Sequence, residues 1–308
     1  MASRPRVSVG LPVYNGEAYL EQALMSIAAQ TFQHYEVIIC DNASTDRTGE
    51  ICQAYAARDG RIRYHRNPGN IGGDRNYNRC FELATGDYIL TLAHDDRLGP
   101  RYLEKTVAVL DTTPEIVFCH SRSRQIDETG AIVRDFEPNP FSDSSKPHQR
   151  LFDAICVSRY VLANFGMIRS RTLRAMPPLA AYPSSDAFWQ AELALRGRLY
   201  EIPEFLFDRR IRSGAGHLTP LHERLAWSEP GRATALFFPT WRRLGEYLAS
   251  IRRVPMGLGE RLRCIVQLAR YWREKRIAGQ LARDLRMNAR RVLLRSSTVR
   301  AWRERRSR

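Results

Sequence analysis

Metal-binding and disulfide patterns are missing from this 308-residue sequence, although it contains six cysteines. There is no CxxC pair and no group of cysteine and histidine at the spacing of a zinc site, so neither a structural zinc nor a secreted disulfide framework is expected. A chain of this length buries enough surface to fold without disulfides. The scattered cysteines therefore indicate reduced thiols and a cytoplasmic protein.

Long hydrophobic runs are absent as well. No segment approaches the roughly 18 consecutive apolar residues that span a membrane, and the N-terminal stretch MASRPRVSVGLPVYN lacks the apolar core of a signal peptide. We therefore expect a chain that neither crosses a membrane nor enters the secretory route. The overall composition, 44% apolar and 26% charged, is typical of a globular protein.

The net charge of +15 lies entirely in the C-terminal part of the chain. Residues 241–308 hold 20 Lys and Arg against 5 Asp and Glu, which leaves 28 residues of each sign in 1–240. A uniformly basic protein would suggest nucleic-acid binding, whereas here a neutral body carries a cationic extension. Body and extension therefore need separate explanations.

Residues 6–120 alternate between strand-length apolar runs and segments of helical periodicity. The runs that predict strands are 7–13, 35–40, 62–64, 88–92 and 116–119. Strands that alternate with crossover helices predict a mainly parallel sheet covered by helices on both faces. The predicted fold class is therefore α/β.

The pattern changes beyond His120. Residues 119–134 predict a hairpin that turns at Gly130, and 135–150 form a polar stretch rich in proline and serine that predicts a loop. From about residue 221 onward the pattern is helical, with apolar residues on one face and arginine on the others. These apolar residues are Leu258, Leu262, Ile265, Ala269, Trp272, Ile277, Leu281 and Leu285.

Three polar clusters follow predicted strands, at the carboxyl edge where doubly wound sheets bind ligands. They are residues 12–16, 41–46 and 94–96. A turn with a helix cap would account equally well for Thr45 or Asp46. It does not account for Asp95 and Asp96, because two adjacent carboxylates after a buried strand repel each other, which a bound divalent cation would relieve.

The segments that contain these clusters are VSVGLPVYNGEAYLEQALMSIAAQTFQHYEVIICDNASTD and NPGNIGGDRNYNRCFELATGDYILTLAHDD. They resemble the nucleotide-diphospho-sugar glycosyltransferases of family 2, which have the GT-A fold. The resemblance is dense over residues 1–120, weaker to about 217 and absent beyond. It implies a Rossmann-like GT-A domain at 1–220, with a nucleotide-sugar-binding half at 1–120 and an acceptor half at 121–220. A basic amphipathic helical extension would follow at 221–308.

The resemblance implies a nucleotide-sugar site and a metal site. Carried over residue by residue, the nucleotide-sugar residues are Pro12, Tyr14, Asn15, Asp41, Asp46, Arg75, Asn76, Asp95, Arg210 and Arg212. Asp41 would accept a hydrogen bond from the base. Asp95 and Asp96 would form the metal motif for Mn²⁺ or Mg²⁺, with Asp96 the direct ligand and Asp95 near the donor ribose and sugar. Many members read Asp-x-Asp-Asp where this chain has Ala93-His94-Asp95-Asp96, so the first carboxylate is missing.

Asp186 is the residue expected to act as the catalytic base. An inverting transfer needs one base within hydrogen-bond reach of the acceptor hydroxyl. Asp186 opens an amphipathic helix where the family often has Glu-Asp, and Ser185 stands here in place of the Glu. A helix cap is the alternative explanation. Arg210 and Arg212 lie in a basic segment suited to the donor diphosphate, or in a solvated loop.

The expected function is inverting transfer of a sugar from a nucleotide-diphosphate donor to a glycan or lipid-linked acceptor, in cell-surface polysaccharide or lipid-linked glycan assembly. A divalent ion would stabilise the charge on the leaving nucleoside diphosphate. A nucleotide-linked dehydrogenase is not expected, because no GxGxxG loop follows the first strand. The alternative is a non-catalytic sugar-nucleotide-binding or scaffold protein with a degenerate site, which Ala93 and Ser185 leave open.

The basic extension admits three interpretations. Its arginine-rich helices would lie on an anionic membrane surface, which would place the protein peripherally on the inner face of the membrane. Alternatively, its apolar face packs on the catalytic body or on a second copy to give a homodimer. Nucleic-acid binding is not expected, because no recognised nucleic-acid-binding motif accompanies the charge.

Overall fold

The computed structural model of the chain describes residues 4–138, 143–157, 166–182, 185–211, 223, 227–228 and 238–295, with side chains as far as residue 289. Within these residues nine strands form one sheet. The strands are β1 (Val7–Val13), β2 (Tyr35–Asp41), β3 (Ile62–Arg66), β4 (Tyr88–Thr91), β5 (Arg97–Leu98), β6 (Ile116–Ile126), β7 (Ile132–Asp135), β8 (Met167–Arg169) and β9 (Arg198–Arg210).

The helices connect these strands and continue beyond them. They are α1 (Leu20–Ala28), α2 (Thr48–Arg58), α3 (Gly73–Leu83), α4 (Tyr102–Thr112), α5 (Pro147–Phe152), α6 (Ser170–Arg174), α7 (Ser185–Arg196), α8 (Pro239–Arg253), α9 (Leu258–Glu274) and α10 (Ile277–Arg295). A single π-helical turn, Asp153–Val157, extends α5.

The sheet has the order β3-β2-β1-β4-β8-β6-β9-β5, and β7 pairs with β6. The first four of these strands are parallel to one another, as expected for strands joined by crossover helices. β8 lies antiparallel between β4 and β6, while β9 runs parallel to β6 and ends antiparallel to β5. The predicted α/β fold with a mainly parallel N-terminal half is confirmed.

Helices cover both faces of the sheet. Because side chains alternate along a strand, β2 sends Val37 and Ile39 into one core and Ile38 and Cys40 into the other. Helices α1, α2 and α4 contribute to the first core, and α3, α6 and α7 contribute to the second. The sheet is therefore buried on both sides, and its carboxyl edge is left to bind ligands.

The predicted hairpin after His120 is present. Strands β6 and β7 pair in antiparallel fashion, and the N–H of Gly130 donates to the carbonyl of Asp127 across the turn. Gly130 has φ of 92°, a left-handed conformation that glycine adopts without a steric penalty. β9 runs parallel to β6, so the end of β9 lies next to the turn of this hairpin.

The helices of the basic extension share a third core with the body. This core brings α8, α9 and α10 against α5 and α7 and contains Leu151, Phe188, Leu195, Tyr247, Ile251, Cys264, Leu268, Tyr271, Ile277 and Leu281. Glu192 of α7 also reaches α8, where it pairs with Arg253 and accepts a 3.0 Å hydrogen bond from the Ser250 hydroxyl. One face of the extension therefore packs on the body. The domain boundary at residue 220 stays a prediction.

The opposite face of α9 is exposed and apolar. Leu258 and Leu262 are 76% and 63% exposed, and Ile265 and Val266 continue the same face one turn further along. Cys264, on another side of the helix, packs in the third core, so these four residues face away from the body. Among the helices described, none is apolar over a sufficient length to cross a bilayer.

Candidate active site

A cavity of about 500 Å³ lies at the carboxyl edge of the parallel strands. It is lined by Pro12, Val13, Tyr14, Asn42, Asn70, Gly73, Asn76, Tyr77, Ala93, His94, Asp95 and Trp227. The register of the sheet explains this grouping, because Val13 pairs with Asp41 and Gly10 pairs with Thr91, so these strands end at the same edge. Four predicted site residues thus lie in one cavity, namely Pro12, Tyr14, Asn76 and Asp95.

Four asparagines form a connected amide cluster, and Asn42, Asn70 and Asn76 of this cluster line the cavity. Asn42 accepts a 3.1 Å hydrogen bond from Asn67 and donates a 2.9 Å bond to Asn70. Asn76 accepts a 2.9 Å bond from Asn67 and donates to the carbonyl of Cys40. The amide groups are therefore held in fixed orientations, which suits them to read the hydrogen-bonding edge of a flat polar ring.

Sequence reasoning named Asn76, included Asn42 in the polar cluster 41–46 and missed Asn67 and Asn70. The run NPGN between β3 and α3 contains Asn67 and Asn70. A polar turn after a strand at the ligand-binding edge was the available signal.

Asp41 is fully buried beside the cavity and does not line it. Its Oδ1 accepts the Ser44 N–H at 2.8 Å, and its Oδ2 accepts the Tyr64 hydroxyl at 2.8 Å and Arg66 Nη1 at 2.7 Å. Burial, together with the nearby Asp41 carboxylate, raises the pKa of Tyr64 to about 12. Asp41 thus holds the segment after β2 in place, and its predicted contact with the base stays a prediction.

Asn15 and Asp46 tie the loops after β1 and β2 together. Asn15, with φ of 50°, donates its N–H to Ser44 Oγ at 2.9 Å and accepts the Thr45 N–H on Oδ1 at 2.8 Å. Asp46 accepts the N–H groups of Glu17 and Thr48. Burial opposes ionisation of Asp46, but these hydrogen bonds outweigh it and lower its pKa. Both predicted residues therefore shape the rim of the cavity.

The acidic pair follows β4, which lies on the other side of β1 from β2 in the sheet. Asp95 lines the cavity, while Asp96 is 2% exposed and accepts the Arg210 N–H on Oδ1 at 2.8 Å. Burial and the negative charge of Asp95 raise the pKa of Asp96 well above its usual range, although Arg209 and Arg210 oppose this effect. Repulsion between the two carboxylates is therefore present in the folded protein.

Asp186 lies at the start of α7, close to the first turn of α3. The Ser185 hydroxyl donates to Asp74 Oδ1 at 3.3 Å, and Asp74 follows Gly73, which lines the cavity. Burial and the negative charge of Asp186 raise the pKa of Asp74 to about 7, although the hydroxyls of Ser228 and Ser185 oppose the shift. Asp186 does not line the cavity, and it lies near the carboxyl group of Asp74, which sequence reasoning missed.

Residues 8–171, more than half of the chain, match the family model of glycosyl transferase family 2. The chain belongs to this family. EpsE of Bacillus subtilis, a provisionally named glycosyltransferase, is 40% identical over 136 residues, which cover 44% of this chain and 46% of EpsE. The uncharacterized glycosyltransferase MJ1057 of Methanocaldococcus jannaschii is 28% identical over 73% of this chain and 77% of its own length. The chain therefore spans less than half of EpsE and most of MJ1057.

Solved structures with the GT-A fold resemble the whole arrangement. Residues 1–349 of TarS from S. aureus, crystallised with UDP, give a TM-score of 0.62 at 17% identity over 87% of this chain and 72% of that chain. The mannosyltransferase PcManGT from Pyrobaculum calidifontis, solved with GDP-Man and Mn²⁺, gives 0.51 at 16% identity over 98% of this chain and 84% of that chain. At this identity the likeness shows the fold, and the GT-A prediction is confirmed.

The residues of this family 2 chain fit a divalent cation through two carboxylates only. Within the described ranges no group of three or more acidic, histidine or cysteine side chains is arranged to hold a metal ion. Ala93, at the place of the missing carboxylate, lines the cavity without offering a ligand. Mg²⁺ in phosphate-transfer sites is commonly held by one or two carboxylates plus substrate phosphates, and Asp95 is the carboxylate of the pair that lines the cavity.

Two of the three predicted arginines, Arg75 and Arg210, do not line the cavity. Arg75 is exposed on α3, and Arg212 lies outside the described residues. Arg210 is buried, and its guanidinium donates to the carbonyls of Asp95, Asp127 and Glu128 and to Gln22 Oε1. It supports the acidic pair and the β6–β7 turn from outside the cavity, so its predicted phosphate contact stays a prediction.

Proposed function

We propose that this family 2 chain is an inverting glycosyltransferase that moves a sugar from a nucleotide-diphosphate donor to a hydroxyl group of an acceptor. The observation that supports this most is that one cavity is lined both by the hydrogen-bonded amides of Asn42, Asn70 and Asn76 and by the carboxylate of Asp95. A nucleotide-sugar likewise combines a hydrogen-bonding base with a diphosphate that is linked to the sugar.

The amide cluster binds and orients the donor nucleotide. The amides of Asn42, Asn70 and Asn76 line the cavity. Pro12 and Tyr14 add apolar surface next to them, which suits the flat face of a base. Because the amides are already hydrogen-bonded to one another, little ordering is needed when the donor binds.

The acidic pair holds the leaving group. Asp95 and Asp96 would bind Mn²⁺ or Mg²⁺, which as a Lewis acid stabilises negative charge on the departing nucleoside diphosphate. The Arg210 N–H fixes the orientation of Asp96, so the ligand oxygens are positioned before the donor arrives.

Asp186 accepts the proton of the acceptor hydroxyl. The acceptor oxygen then bonds to the anomeric carbon on the face opposite the leaving group, and the bond from that carbon to the diphosphate oxygen breaks. The nearness of Asp186 to Asp74, which follows the cavity-lining residue Gly73, supports this role, because the acceptor must approach from outside the bound donor.

The exposed apolar face of α9 supports a location on an anionic membrane surface. Leu258, Leu262 and Val266 lie at i, i+4 and i+8, so they share one side of the helix. The exposed Arg263 and Arg270 lie beside this side, and each forms an ion pair with a glutamate of α9. An apolar face edged by cations matches the boundary between acyl chains and anionic headgroups. A lipid-linked or cell-surface glycan acceptor is consistent with that location.

A donor screen tests the enzymatic proposal. Purified protein is mixed with UDP-, GDP- and dTDP-sugars with and without Mn²⁺, and thermal unfolding is followed, because a ligand that binds the native state raises its stability. We expect one nucleotide class to raise the Tm, more strongly with Mn²⁺, and the same donor to support glycosyl transfer. Donor binding without transfer or hydrolysis would instead support a non-catalytic sugar-nucleotide-binding protein.

A further inference from the structure

The carboxyl group of Asp74 connects the first turns of α3 and α7. Its Oδ1 accepts a 3.3 Å hydrogen bond from the hydroxyl of Ser185, the first residue of α7, which lies 111 residues further along the chain. Both residues are buried, with exposures of 7% for Asp74 and 5% for Ser185. Asp186 is the next residue of α7, so this contact between the two helices lies one residue from the proposed base.

The first turn of α3 is also part of the donor cavity. Gly73 precedes Asp74, Asn76 and Tyr77 follow it, and these three neighbours line the cavity. The N–H of Asn76 donates to the carbonyl of Gly72 at 3.1 Å, and such backbone hydrogen bonds hold a helical turn together. Asp74 therefore connects a wall of the donor cavity to the start of the helix that carries Asp186.

Residues 227 and 228 cover this turn of α3. The indole ring of Trp227 lies against Gly73, where an added Cβ atom would come within 2.3 Å of Trp227 Cζ2. Ser228, which is 1% exposed, lies beside Asp74. Because the contact between Asp74 and Ser185 is kept from water, it is stronger than the same hydrogen bond would be at the surface.

Of the two carboxyl groups, Asp74 is the one that holds a proton near neutral pH. Burial and the negative charge of Asp186 raise the pKa of Asp74 to about 7. Its Oδ2 is buried and forms no hydrogen bond of normal length within the described part of the chain, which also favours the neutral form. Below its pKa, Asp74 can thus hold Ser185 without adding a second negative charge beside Asp186.

We propose that Asp74 is the positioning residue for the catalytic base: it holds the Ser185 hydroxyl, fixes the start of α7 relative to the donor cavity and so places Asp186 for proton transfer. The inference rests on the proposed function, since it takes Asp186 as the base. A base acts only within hydrogen-bond reach of the proton, and a displacement of about 1 Å can slow a reaction about a hundredfold. Asp74 does not line the cavity itself, so it acts through Asp186.

The first test compares Asp74→Ala, Asp74→Asn and Ser185→Ala. The donor is the one identified in the screen of UDP-, GDP- and dTDP-sugars with Mn²⁺, and water is the acceptor, so release of nucleoside diphosphate gives kcat. We expect Asp74→Ala and Ser185→Ala to lower kcat by about ten- to a hundredfold, while the donor Kd from calorimetry stays the same. Asp74→Asn should lose less, because asparagine keeps an oxygen that accepts the Ser185 hydroxyl. Ser185→Ala leaves Asp74 in place and tests the contact if the Asp74 variants do not fold.

The second test separates positioning from a general loss of structure. Asp74→Ala combined with Asp186→Asn should be no slower than Asp186→Asn alone, because a positioning residue has no effect once the group that it positions is gone. A radiolabelled donor makes these slow variants measurable.

Glu192→Gln is the matched control. Glu192 is another buried carboxylate of α7, 2% exposed, and it pairs with Arg196 and Arg253. Glu192→Gln should therefore lower the Tm but leave kcat unchanged.

Three results would overturn the inference. The first is an unchanged kcat in Asp74→Ala and Ser185→Ala, and the second is a fall in kcat for Asp74→Ala that persists in full when Asp186 is already replaced. The third is an equal fall in Glu192→Gln, which would assign the effect to a general loosening of α7. If the unmodified protein binds donors but releases no nucleoside diphosphate, the proposed function itself is wrong, so the unmodified protein distinguishes that failure from the other three.

Discussion

The backbone N–H of Arg210 donates a 2.8 Å hydrogen bond to Oδ1 of Asp96, which lies 114 residues earlier in the chain. The guanidinium of Arg210 also donates to the carbonyl of Asp95. The last residue of β9 therefore fixes both the backbone and one carboxylate of the acidic pair. Residues far apart in the chain therefore meet at the position where the donor diphosphate is proposed to bind.

Asp96→Asn should abolish transfer while the fold is retained. Asparagine keeps the volume and an acceptor for the Arg210 N–H, but it removes the charge that binds the cation. We expect a fall in kcat of about a hundredfold or more, the scale seen when one stabilising group is lost from a charged transition state. Transfer assays in Mn²⁺ and circular dichroism test this. Near-normal activity with Mn²⁺ would show that Asp96 is not the metal ligand. Asp111→Asn, on the exposed end of α4, is the control variant.

Asp41→Ala should weaken donor binding and also destabilise the fold. The substitution leaves the Tyr64 hydroxyl, the Arg66 guanidinium and the Ser44 N–H without their shared acceptor. We expect a loss of about 1–3 kcal/mol in the free energy of unfolding. Denaturant titration and donor affinity measure the two effects. An unchanged donor Kd would show that Asp41 only holds the loop in place. Asp46→Ala, which loses two hydrogen bonds from backbone N–H groups, is the comparison variant for stability.

Asp186→Asn should slow transfer by about two to four orders of magnitude, the usual contribution of a general base. Donor binding should be preserved, because Asp186 lies beyond the cavity lining. Steady-state kinetics and donor thermal shifts separate the two quantities. If donor affinity falls as much as the rate, Asp186 has a structural role at the start of α7.

Asp74 should make the protein less stable as the pH rises from about 4 to about 7. Its pKa is raised from 3.8 to about 7 in the folded protein, so over this range the folded state holds a proton that the unfolded state has released. Asp74→Asn should flatten this part of the curve and stabilise the protein at pH 8 by about 1–4 kcal/mol.

Thermal unfolding of both proteins between pH 4 and pH 8 checks the Asp74 prediction. Asp59, whose pKa is lowered by Arg61, provides a control of opposite sign, because its stabilising contribution is present above pH 4 and is lost on acidification. A pH profile for Asp74→Asn that parallels the unmodified protein would show that Asp74 ionises normally.

Vesicle binding should depend on both the charge and the apolar face of α9. Each arginine near anionic headgroups contributes on the order of 1 kcal/mol and is screened by salt, while the leucines add a part that salt does not remove. Binding to phosphatidylserine vesicles should therefore fall but persist at high salt, and Leu258→Ser with Leu262→Ser should reduce it strongly. Leu248→Ser, on α8, is the matched control.

Truncation near residue 240 is a poor test of membrane binding, because α8, α9 and α10 share a core with α5 and α7. The surface variants above leave that core intact. If the unmodified protein does not bind anionic vesicles, the exposed face of α9 does not bind membranes. Loss of self-association in the leucine variants would assign that face to a homodimer.

The sequence alone determined the α/β class, the order of the first strands and helices, and the place of the acidic pair. These features depend on local periodicity, because residues two apart share a strand face and residues three or four apart share a helix face. The rule that parallel strands end at a common edge predicted that Pro12, Tyr14 and Asp95 lie close together, whereas Asn76, on α3, was expected only from the resemblance to family 2.

The tertiary structure decided which distant residues meet. Asp74 lies 111 residues before Ser185, and Trp227 lies still further along the chain from Gly73, so no periodic pattern connects them. No periodic pattern predicts the contacts of the buried Arg210, which was expected at the phosphate. Nor does such a pattern predict which face of α9 packs on the body. Such contacts are set by how whole elements pack, and packing depends on shape and burial across the folded chain rather than on neighbouring residues.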